Sequence, residues 1–378
     1  MPAPDRAQLT TARRLVVKVG SAVLAPAGRL DETAIERLAD DLASVRARGV
    51  DVVLVSSGAV AAGFRTLGLG SMPRAIRDKQ AAAAVGQPAL IHRYTTLLAR
   101  HGVPVAQVLL TGDVLDHRAR YLNARHTLTT LLERAVLPIV NENDSVTHDE
   151  IKLGDNDRLG ALVAGLVGAD LLVILSSVDG LYESADPARP ITTIADTSAA
   201  RAHVSPDRST TGTGGFATKL DAVDIARAHA CPTVVTRGPT DARPAPVSAV
   251  LAADPVGTLF PLPYDAPARG ARKNWLSHAA VPRGKVRVDA GAARALTERG
   301  ASLLPKGITR VEGDFDAGAV VEILDESARP IARGLTNYNS TDLARLAGKR
   351  SDEIEPTLGY TYADEAVHRD DMAVYDKP

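Results

Sequence analysis

Residues 156–176, NDRLGALVAGLVGADLLVILS, contain the longest apolar stretch of the chain. Asp170 interrupts this stretch, and glycine and alanine fill much of its first half, so a membrane span is not expected. The pattern instead predicts a helix over Asn156–Val167, a turn, and a strand over Leu171–Ser176. A strand of Leu, Val and Ile without polar alternation is typical of a parallel sheet that is buried on both faces.

Strands and helices alternate in the same way along the first two-thirds of the chain. The sequence therefore predicts an α/β fold, with a mostly parallel sheet sandwiched between helices and ligands at the carboxyl ends of the strands. Further strands are predicted over 13–24, 50–57, 103–111, 137–140 and 232–236, and further helices over 31–49 (capped by Asp31), 73–100 (broken near 86–88) and 218–230.

The pattern changes after about residue 259. Residues 261–283, PLPYDAPARGARKNWLSHAAVPR, are rich in Pro and Ala and have no period, which indicates a linker. Short alternating strands around a helix follow and indicate a small β-rich domain. The predicted division is a first domain over 1–262, a linker over 263–282, a second domain over 283–366 and a C-terminal tail over 367–378.

The composition is that of an ordinary soluble globular protein, with 45% hydrophobic residues, 24% charged residues and a formal net charge of −1. A nucleic-acid coat or a membrane-surface protein usually carries a strong basic excess, so neither class is expected. The N-terminal segment lacks the apolar core of a signal peptide, and the single cysteine, Cys231, allows no internal disulfide. A cytoplasmic location is expected, with Cys231 as a small buried hydrophobe rather than a reactive thiol.

A glycine-rich segment, TGTGGFATK over 211–219, opens one of the predicted helices. Gly212–Ala217 matches the G-x-G-x-x-A dinucleotide pattern, but it follows a polar stretch rather than a strand, which argues against that assignment. Three glycines before a helix instead predict a phosphate-binding loop, with Lys219 one turn into the helix. A flexible loop with a surface lysine is the alternative.

Two other polar features lie within a predicted strand or at the end of one. Lys18 lies in the first strand, where a buried lysine is costly unless it has a function; a lysine that reaches solvent is the alternative. Ser56, Ser57 and Gly58 end the second strand, and hydroxyls beside a helix N-terminus suit a carboxylate. An ordinary N-cap serine would give the same pattern.

The densest polar cluster comprises NEND over 141–144 and KLGDND over 152–157. The first of these runs directly follows a predicted strand. Acidic and amide side chains suit a substrate ammonium group or a lysine that must be held in place, although solvated loops are also acidic.

The nine histidines are scattered, and none is paired at metal-ligand spacing. Phosphoryl transfer to a carboxylate requires no histidine base, because the nucleophile is already ionised at neutral pH. The reaction requires positive charge on the phosphoryl oxygens, which two lysines, backbone amides and Mg²⁺ can supply.

Taken in order, these motifs closely resemble the glutamate 5-kinase family of the amino-acid kinase superfamily, and the C-terminal part is similar to a PUA domain. The kinase motifs are VKVGS (17–21), VSSG (55–58), VNEND (140–144), GDND (154–157) and GTGGFATK (212–219). The PUA motifs are SLLPKG (302–307), YNS (338–340) and VHRDD (367–371).

The resemblance implies an ATP- and Mg²⁺-dependent kinase that converts L-glutamate to L-glutamyl 5-phosphate, the first step of proline synthesis. Proline as feedback inhibitor, a glutamyl-phosphate reductase as partner and a homo-oligomer are also expected. The implied catalytic residues are Lys18, Lys219 and Asp157, and the implied glutamate-binding residues are Ser57, Asp144 and Asn156. The implied nucleotide-binding residues are Lys18, Ser176, Ser177, Thr213, Gly214, Gly215, Phe216, Ala217, Thr218 and Lys219.

The chain departs from the family pattern at one nucleotide-binding position. Many members carry Thr-Asp or Ser-Asp after the strand that ends near residue 175, whereas this chain has Ser176-Ser177. Asp179 lies two residues further on and is a candidate substitute.

Two alternative functions remain open from the sequence. Another kinase of the superfamily would act on N-acetylglutamate, aspartate, carbamate or UMP, but a free α-ammonium group is what Asp144 and Asn156 best suit. RNA binding is the alternative of a different class, because other PUA domains bind RNA. Residues 283–365 contain 12 Lys and Arg against 14 Asp and Glu, so they lack the basic excess that phosphate binding requires.

Overall fold

The computed structural model describes residues 6–111, 118–146, 156–183, 186–204, 215–262 and 282–375. The chain forms two compact units; the described residues up to 262 belong to the first, and residues 282–375 belong to the second. The predicted linker therefore lies almost wholly outside the described residues, and its bounds stay a prediction. None of the helices in the described ranges has the length and apolarity needed to cross a membrane.

The first unit is built on a seven-stranded sheet in the order β3-β4-β2-β1-β5-β8-β9. All neighbouring strands are parallel except β9, which is antiparallel to β8. Strands β6 and β7 form a separate antiparallel pair. The strands are β1 (Arg14–Val19), β2 (Asp51–Val55), β3 (Val105–Leu110), β4 (Leu137–Glu142), β5 (Leu171–Ser176), β6 (Tyr182–Glu183), β7 (Asp186–Pro190), β8 (Thr233–Arg237) and β9 (Thr258–Phe260).

Helices cover both faces of this sheet, which confirms the predicted α/β sandwich. One core contains side chains of α2, α4 and α9, and the other contains side chains of α5, α6 and α8. The helices are α1 (Ser21–Leu24), α2 (Glu32–Ala47), α3 (Ala59–Gly63), α4 (Ile76–Ala99), α5 (Arg118–Glu133), α6 (Asn156–Val167), α7 (Thr197–Ala202), α8 (Phe216–Ala228) and α9 (Pro246–Leu251).

Several local predictions are confirmed. The helix and strand predicted within residues 156–176 have the predicted bounds. Asp31 caps α2, because its Oδ1 accepts a hydrogen bond of 3.0 Å from the Ala34 amide. Cys231 is fully buried in the core beneath α8.

Three local predictions were wrong. The strand predicted over 13–24 ends at Val19, because the chain turns at Gly20 into α1. Strand β4 extends to Glu142, so Asn141 and Glu142 are buried strand residues rather than loop residues. Helix α4 continues through Pro88 without a break.

A close helix contact explains why α4 continues through its proline. At Gly86 an added Cβ would lie 1.9 Å from the Ala59 carbonyl oxygen, and at Gly63 it would lie 2.0 Å from the Ala82 carbonyl oxygen. Glycines therefore let α3 and α4 pack backbone against backbone beside the proline. The stabilisation from this packing offsets the one helical hydrogen bond that Pro88 removes.

The second unit contains a five-stranded sheet in the order β11-β10-β12-β13-β14, in which only β10 and β12 are parallel neighbours. Its strands are β10 (Gly284–Val288), β11 (Ile308–Glu312), β12 (Val320–Leu324), β13 (Pro330–Thr336) and β14 (Val367–Val374), and its helices are α10 (Ala290–Arg299), α11 (Ser340–Leu346) and α12 (Ile354–Leu358).

The tail predicted over 367–378 was wrong for residues 367–374. These residues form β14, which pairs with β13 at the edge of the second sheet. Val367, Met372 and Ala373 are buried, so this segment completes the second unit's core instead of leaving it.

Candidate active site

The alternation of side chains along β1 decides which face of the sheet Lys18 lies on. Val16 and Lys18 face the α5, α6 and α8 layer, whereas their neighbours in the strand face the other layer. Helix α6 packs closely against this lysine, since an added Cβ at Gly160 would lie 3.1 Å from the Lys18 Cβ. The stem of Lys18 is therefore enclosed by protein.

Lys18, Asp157 and Lys219 form a buried charge cluster. Lys18 Nζ lies 2.6 Å from Asp157 Oδ1, and Lys219 Nζ lies 3.0 Å from Asp157 Oδ2. The exposed fractions of the three side chains are 7%, 4% and 10% in chain order. One carboxylate at the start of α6 thus fixes two ammonium groups, one from β1 and one from the first turn of α8.

The charge state of Asp157 follows from this geometry. Burial by itself would raise its pKa, but the ammonium groups of Lys18 and Lys219 outweigh burial and hold the pKa well below the ordinary value. Asp157 is therefore ionised at neutral pH. The cluster of two lysines and one carboxylate carries a net charge of about +1, which suits an anionic ligand.

The start of α8 lies beside this cluster. The Thr218 hydroxyl is 3.1 Å from Asp157 Oδ2 and 3.0 Å from the Gly215 carbonyl oxygen. Helix α8 begins at Phe216, two residues before the predicted start, so Lys219 lies in its first turn. Thr213 and Gly214, predicted to bind nucleotide, lie outside the described residues.

A second cluster surrounds the side-chain amide of Asn156. Its Nδ2 lies 2.8 Å from the Ser56 carbonyl oxygen, 2.9 Å from Ser57 Oγ and 3.0 Å from Asn141 Oδ1. Its Oδ1 is buried and has no hydrogen-bond partner among the described residues. A buried acceptor without a donor is costly, so this oxygen suits a ligand that donates hydrogen bonds.

Asp144 lies just beyond the end of β4, in a region of negative charge. Burial, together with the nearby Glu142 carboxylate, raises the pKa of Asp144 to about 7. A cationic ligand would favour the ionised form of Asp144.

The structure thus brings together Lys18, Asp157 and Lys219 in one cluster, and Asn156 and Ser57 in the next. Asn141 was quoted within a sequence motif but not predicted as a site residue. It accepts from Asn156 and, through the same Oδ1, from the Glu142 amide at 2.9 Å. Its position within β4 was not evident, because the strand was predicted to end at residue 140.

Comparison with known proteins decides the family. A model described as the amino acid kinase family matches residues 13–237, which is more than half of the chain. The chain belongs to the amino acid kinase family. A PUA-domain model matches residues 284–358 in the second unit.

Curated relatives of this amino acid kinase match it over nearly its full length. A protein named glutamate 5-kinase from Meiothermus ruber is 49% identical, with 96% of each chain covered. Another of that name from Salinispora arenicola is 47% identical and covers 98% of this chain and 100% of its own. A solved structure of Giardia carbamate kinase is only 15% identical, covers 67% of this chain and all of its own, and has a TM-score of 0.48.

Ser176 and Ser177, which were predicted to contact the nucleotide, lie at the end of β5. Ser176 is buried and Ser177 is exposed. Asp179, the candidate substitute, accepts hydrogen bonds from Arg237 Nε at 3.0 Å and Arg237 Nη2 at 2.8 Å. Its carboxylate is therefore already paired with a guanidinium, which makes it a poor replacement for a free acidic contact.

Proposed function

We propose that this chain is an ATP-dependent kinase that phosphorylates the side-chain carboxylate of L-glutamate and forms L-glutamyl 5-phosphate, the first step of proline biosynthesis. The observation that carries the proposal is the pairing of Lys18 and Lys219 on Asp157, next to the unpartnered amide oxygen of Asn156. Positive charge for a phosphoryl group thus stands beside acceptors for an ammonium group. The names of the relatives support the same activity.

Glutamate is held by the cluster around Asn156 in this proposal. The free Oδ1 of Asn156 and the carboxylate of Asp144 accept hydrogen bonds from the α-ammonium group. Ser57 Oγ already accepts from Asn156, so its own hydrogen is left to donate to a substrate carboxylate. Substrates without a free ammonium group would leave the two acceptors unpaired.

Phosphoryl transfer then relies on charge and position. A side-chain carboxylate is ionised at neutral pH and attacks the γ-phosphorus in line, with ADP as the leaving group. Lys18 and Lys219 stabilise the oxygens of the transferring group, and Asp157 keeps both ammonium groups directed at them. No proton has to be removed from the nucleophile.

The nucleotide is proposed to lie against the start of α8 and the end of β5. Gly215, Phe216, Ala217 and Thr218 begin α8, where backbone amides favour phosphate. Thr213 and Gly214 would complete this loop, and Ser176 and Ser177 would contact the nucleotide from β5. Mg²⁺ enters as part of the MgATP substrate, where phosphate oxygens supply many of its ligands.

We extend the proposal to the protein's partners and control. Proline carries the same α-carboxylate and an ammonium group, so it would inhibit by occupying the Asn156 and Asp144 acceptors. The acyl phosphate product is prone to hydrolysis, which favours transfer to a glutamyl-phosphate reductase. We also propose that the protein is cytoplasmic and forms a homo-oligomer.

The ionisation of Asp144 should control glutamate affinity. Because the carboxylate titrates near pH 7 in the free protein and only its ionised form attracts an ammonium group, kcat/KM for glutamate should fall as pH drops below about 7. Asp144→Asn should lower kcat/KM for glutamate about tenfold or more at about pH 8 and leave the KM for ATP nearly unchanged. The variant should also lack the bend near pH 7 in the plot of kcat/KM against pH. The measurement is a kcat/KM profile over about pH 5.5 to 8.5.

Asp352→Asn is the matched control for Asp144→Asn, because Asp352 is a highly exposed carboxylate of the second unit. A bend near pH 7 that persists in Asp144→Asn would assign the titration to another group.

The acceptor specificity tests the proposed function. ADP release should be measured in parallel with glutamate, N-acetylglutamate, aspartate, carbamate and UMP, with hydroxylamine present to trap an acyl phosphate. Glutamate should give ADP and hydroxamate in equal amounts. A higher kcat/KM with another acceptor would reassign the substrate within the family.

A further inference from the structure

We infer that Tyr94 is a positioning residue, which acts through Ser56 to orient the amide of Asn156 toward glutamate. This inference rests on the proposed function and deepens it. Tyr94 lies in α4, in the helix layer on the opposite side of the sheet from α6. It is fully buried, and its hydroxyl lies 3.2 Å from Ser56 Oγ.

Ser56 connects the two helix layers across the end of β2. Its amide donates to the Val140 carbonyl at 2.9 Å, and its own carbonyl accepts from Asn156. Its Oγ lies 3.2 Å from the Ser57 carbonyl oxygen, which can only accept. When Ser56 donates its single hydroxyl hydrogen to that carbonyl, Tyr94 is the donor in its bond to Ser56.

The orientation of Asn156 depends on the position of Ser56. A flipped amide would place Asn156 Oδ1 against the Ser56 carbonyl oxygen and Asn141 Oδ1, neither of which donates. The acceptors around Nδ2 thus direct Oδ1 away from them, where it remains unpartnered. A shift in the Ser56 carbonyl would change the direction of that oxygen.

The structure leaves room for Ser56 to move if Tyr94 loses its hydroxyl. A small cavity, with space for about one water molecule, lies next to Ser56 and is lined partly by the polar side chains of Gln87, Gln107 and Asn141. Apolar side chains of Leu90, Ile91 and Ile139 line the rest of the cavity, so the three polar residues are the ones that offer Ser56 Oγ other partners. The Tyr94 hydroxyl therefore holds the side chain of Ser56, while Val140 and Asn156 hold its backbone.

Tyr94→Phe should raise the KM for glutamate about three- to tenfold and change the KM for ATP less than about twofold. The KM for ATP should change less than the KM for glutamate, because the lysines hold Asp157 and the hydrogen bonds through Ser56 do not. Steady-state kinetics with each substrate varied in turn, together with calorimetric binding of glutamate, are the measurements.

Tyr338→Phe is the matched control. Tyr338 is also buried, and its hydroxyl hydrogen-bonds to the Ala363 carbonyl within the second unit. This variant should lose stability without any change in either KM. If Tyr94→Phe and Tyr338→Phe changed the KM for glutamate equally, the role of Tyr94 would be structural only.

A double-mutant cycle with Ser56→Ala tests whether Tyr94 acts through Ser56. Tyr94→Phe combined with Ser56→Ala should have the same KM for glutamate as Ser56→Ala alone, within about twofold. Additive effects, or an unchanged KM in a folded Tyr94→Phe, would overturn the inference. Failure of the proposed function can be distinguished from failure of this inference. If the proposed function is wrong, the wild-type protein prefers another acceptor, and the KM for that acceptor would be measured in the same variants.

Discussion

Replacement of Lys219 by alanine should lower kcat about 100-fold or more and change the KM for glutamate less than about threefold. Removal of one fixed donor to a developing negative charge costs about 3 kcal/mol in the transition state. Lys219 is only 8% exposed and its ammonium group lies 3.0 Å from Asp157 Oδ2, so water cannot readily take the place of that group. Single-turnover rates, with enzyme in excess of MgATP and with saturating glutamate, would measure the effect directly.

Lys219→Arg should restore little of this loss, because a planar guanidinium does not occupy the position of a compact ammonium group. Lys285→Ala is the control, since this lysine is exposed in the second unit. A Lys219→Ala protein with nearly normal kcat would exclude Lys219 from the phosphoryl-transfer step.

Asp157→Asn should lower the free energy of unfolding by about 3–5 kcal/mol, although the two side chains have almost the same size. The substitution leaves two buried ammonium groups, of Lys18 and Lys219, without their shared counter-charge. The folded-state pKa of Asp157 lies below its unfolded value, so its contribution is present above about pH 4 and is lost as pH falls through the folded pKa. Urea unfolding at several pH values measures this contribution, which should be missing in the variant.

MgATP should stabilise the Asp157→Asn protein more than wild type, because the phosphates replace the missing negative charge. Asp221→Asn is the control, since the exposed Asp221–Arg201 pair is expected to contribute less than about 1 kcal/mol. A loss of stability no larger in Asp157→Asn than in Asp221→Asn would show that the lysines do not depend on this carboxylate.

The layered α/β fold was predictable because its strands carry uninterrupted Val, Leu and Ile, which only a doubly covered sheet buries. The continuous α4 was not predictable, because its path through Pro88 depends on the contacts of Gly63 and Gly86 with a neighbouring helix. Strand β14 was also missed. Its sequence, VHRDDMAV, has no strict alternation, and pairing with β13 decides its structure.

The candidate site was partly predictable. Lys18 was predictable as a site residue because a lysine in an apolar strand is unusual. Lys219 was predictable because it follows a glycine-rich loop. Tyr94 gave no such signal, because a tyrosine on the buried side of a helix looks like any core residue until the partner of its hydroxyl is known. The pairing of Asp179 with Arg237 likewise joins residues 58 positions apart.

In the proposed reaction, a glutamate side-chain carboxylate attacks the γ-phosphorus of ATP between Lys18 and Lys219. The test uses L-glutamate labelled with oxygen-18 in that carboxylate, incubated with unlabelled MgATP and hydroxylamine. Hydroxylamine displaces phosphate from the acyl carbon, so the phosphate keeps the oxygen that bridged carbon and phosphorus. Each phosphate released with hydroxamate should carry one labelled oxygen, as measured by mass spectrometry. Unlabelled phosphate would mean that another nucleophile, such as water, attacks the phosphorus, and would rule out attack by the glutamate carboxylate.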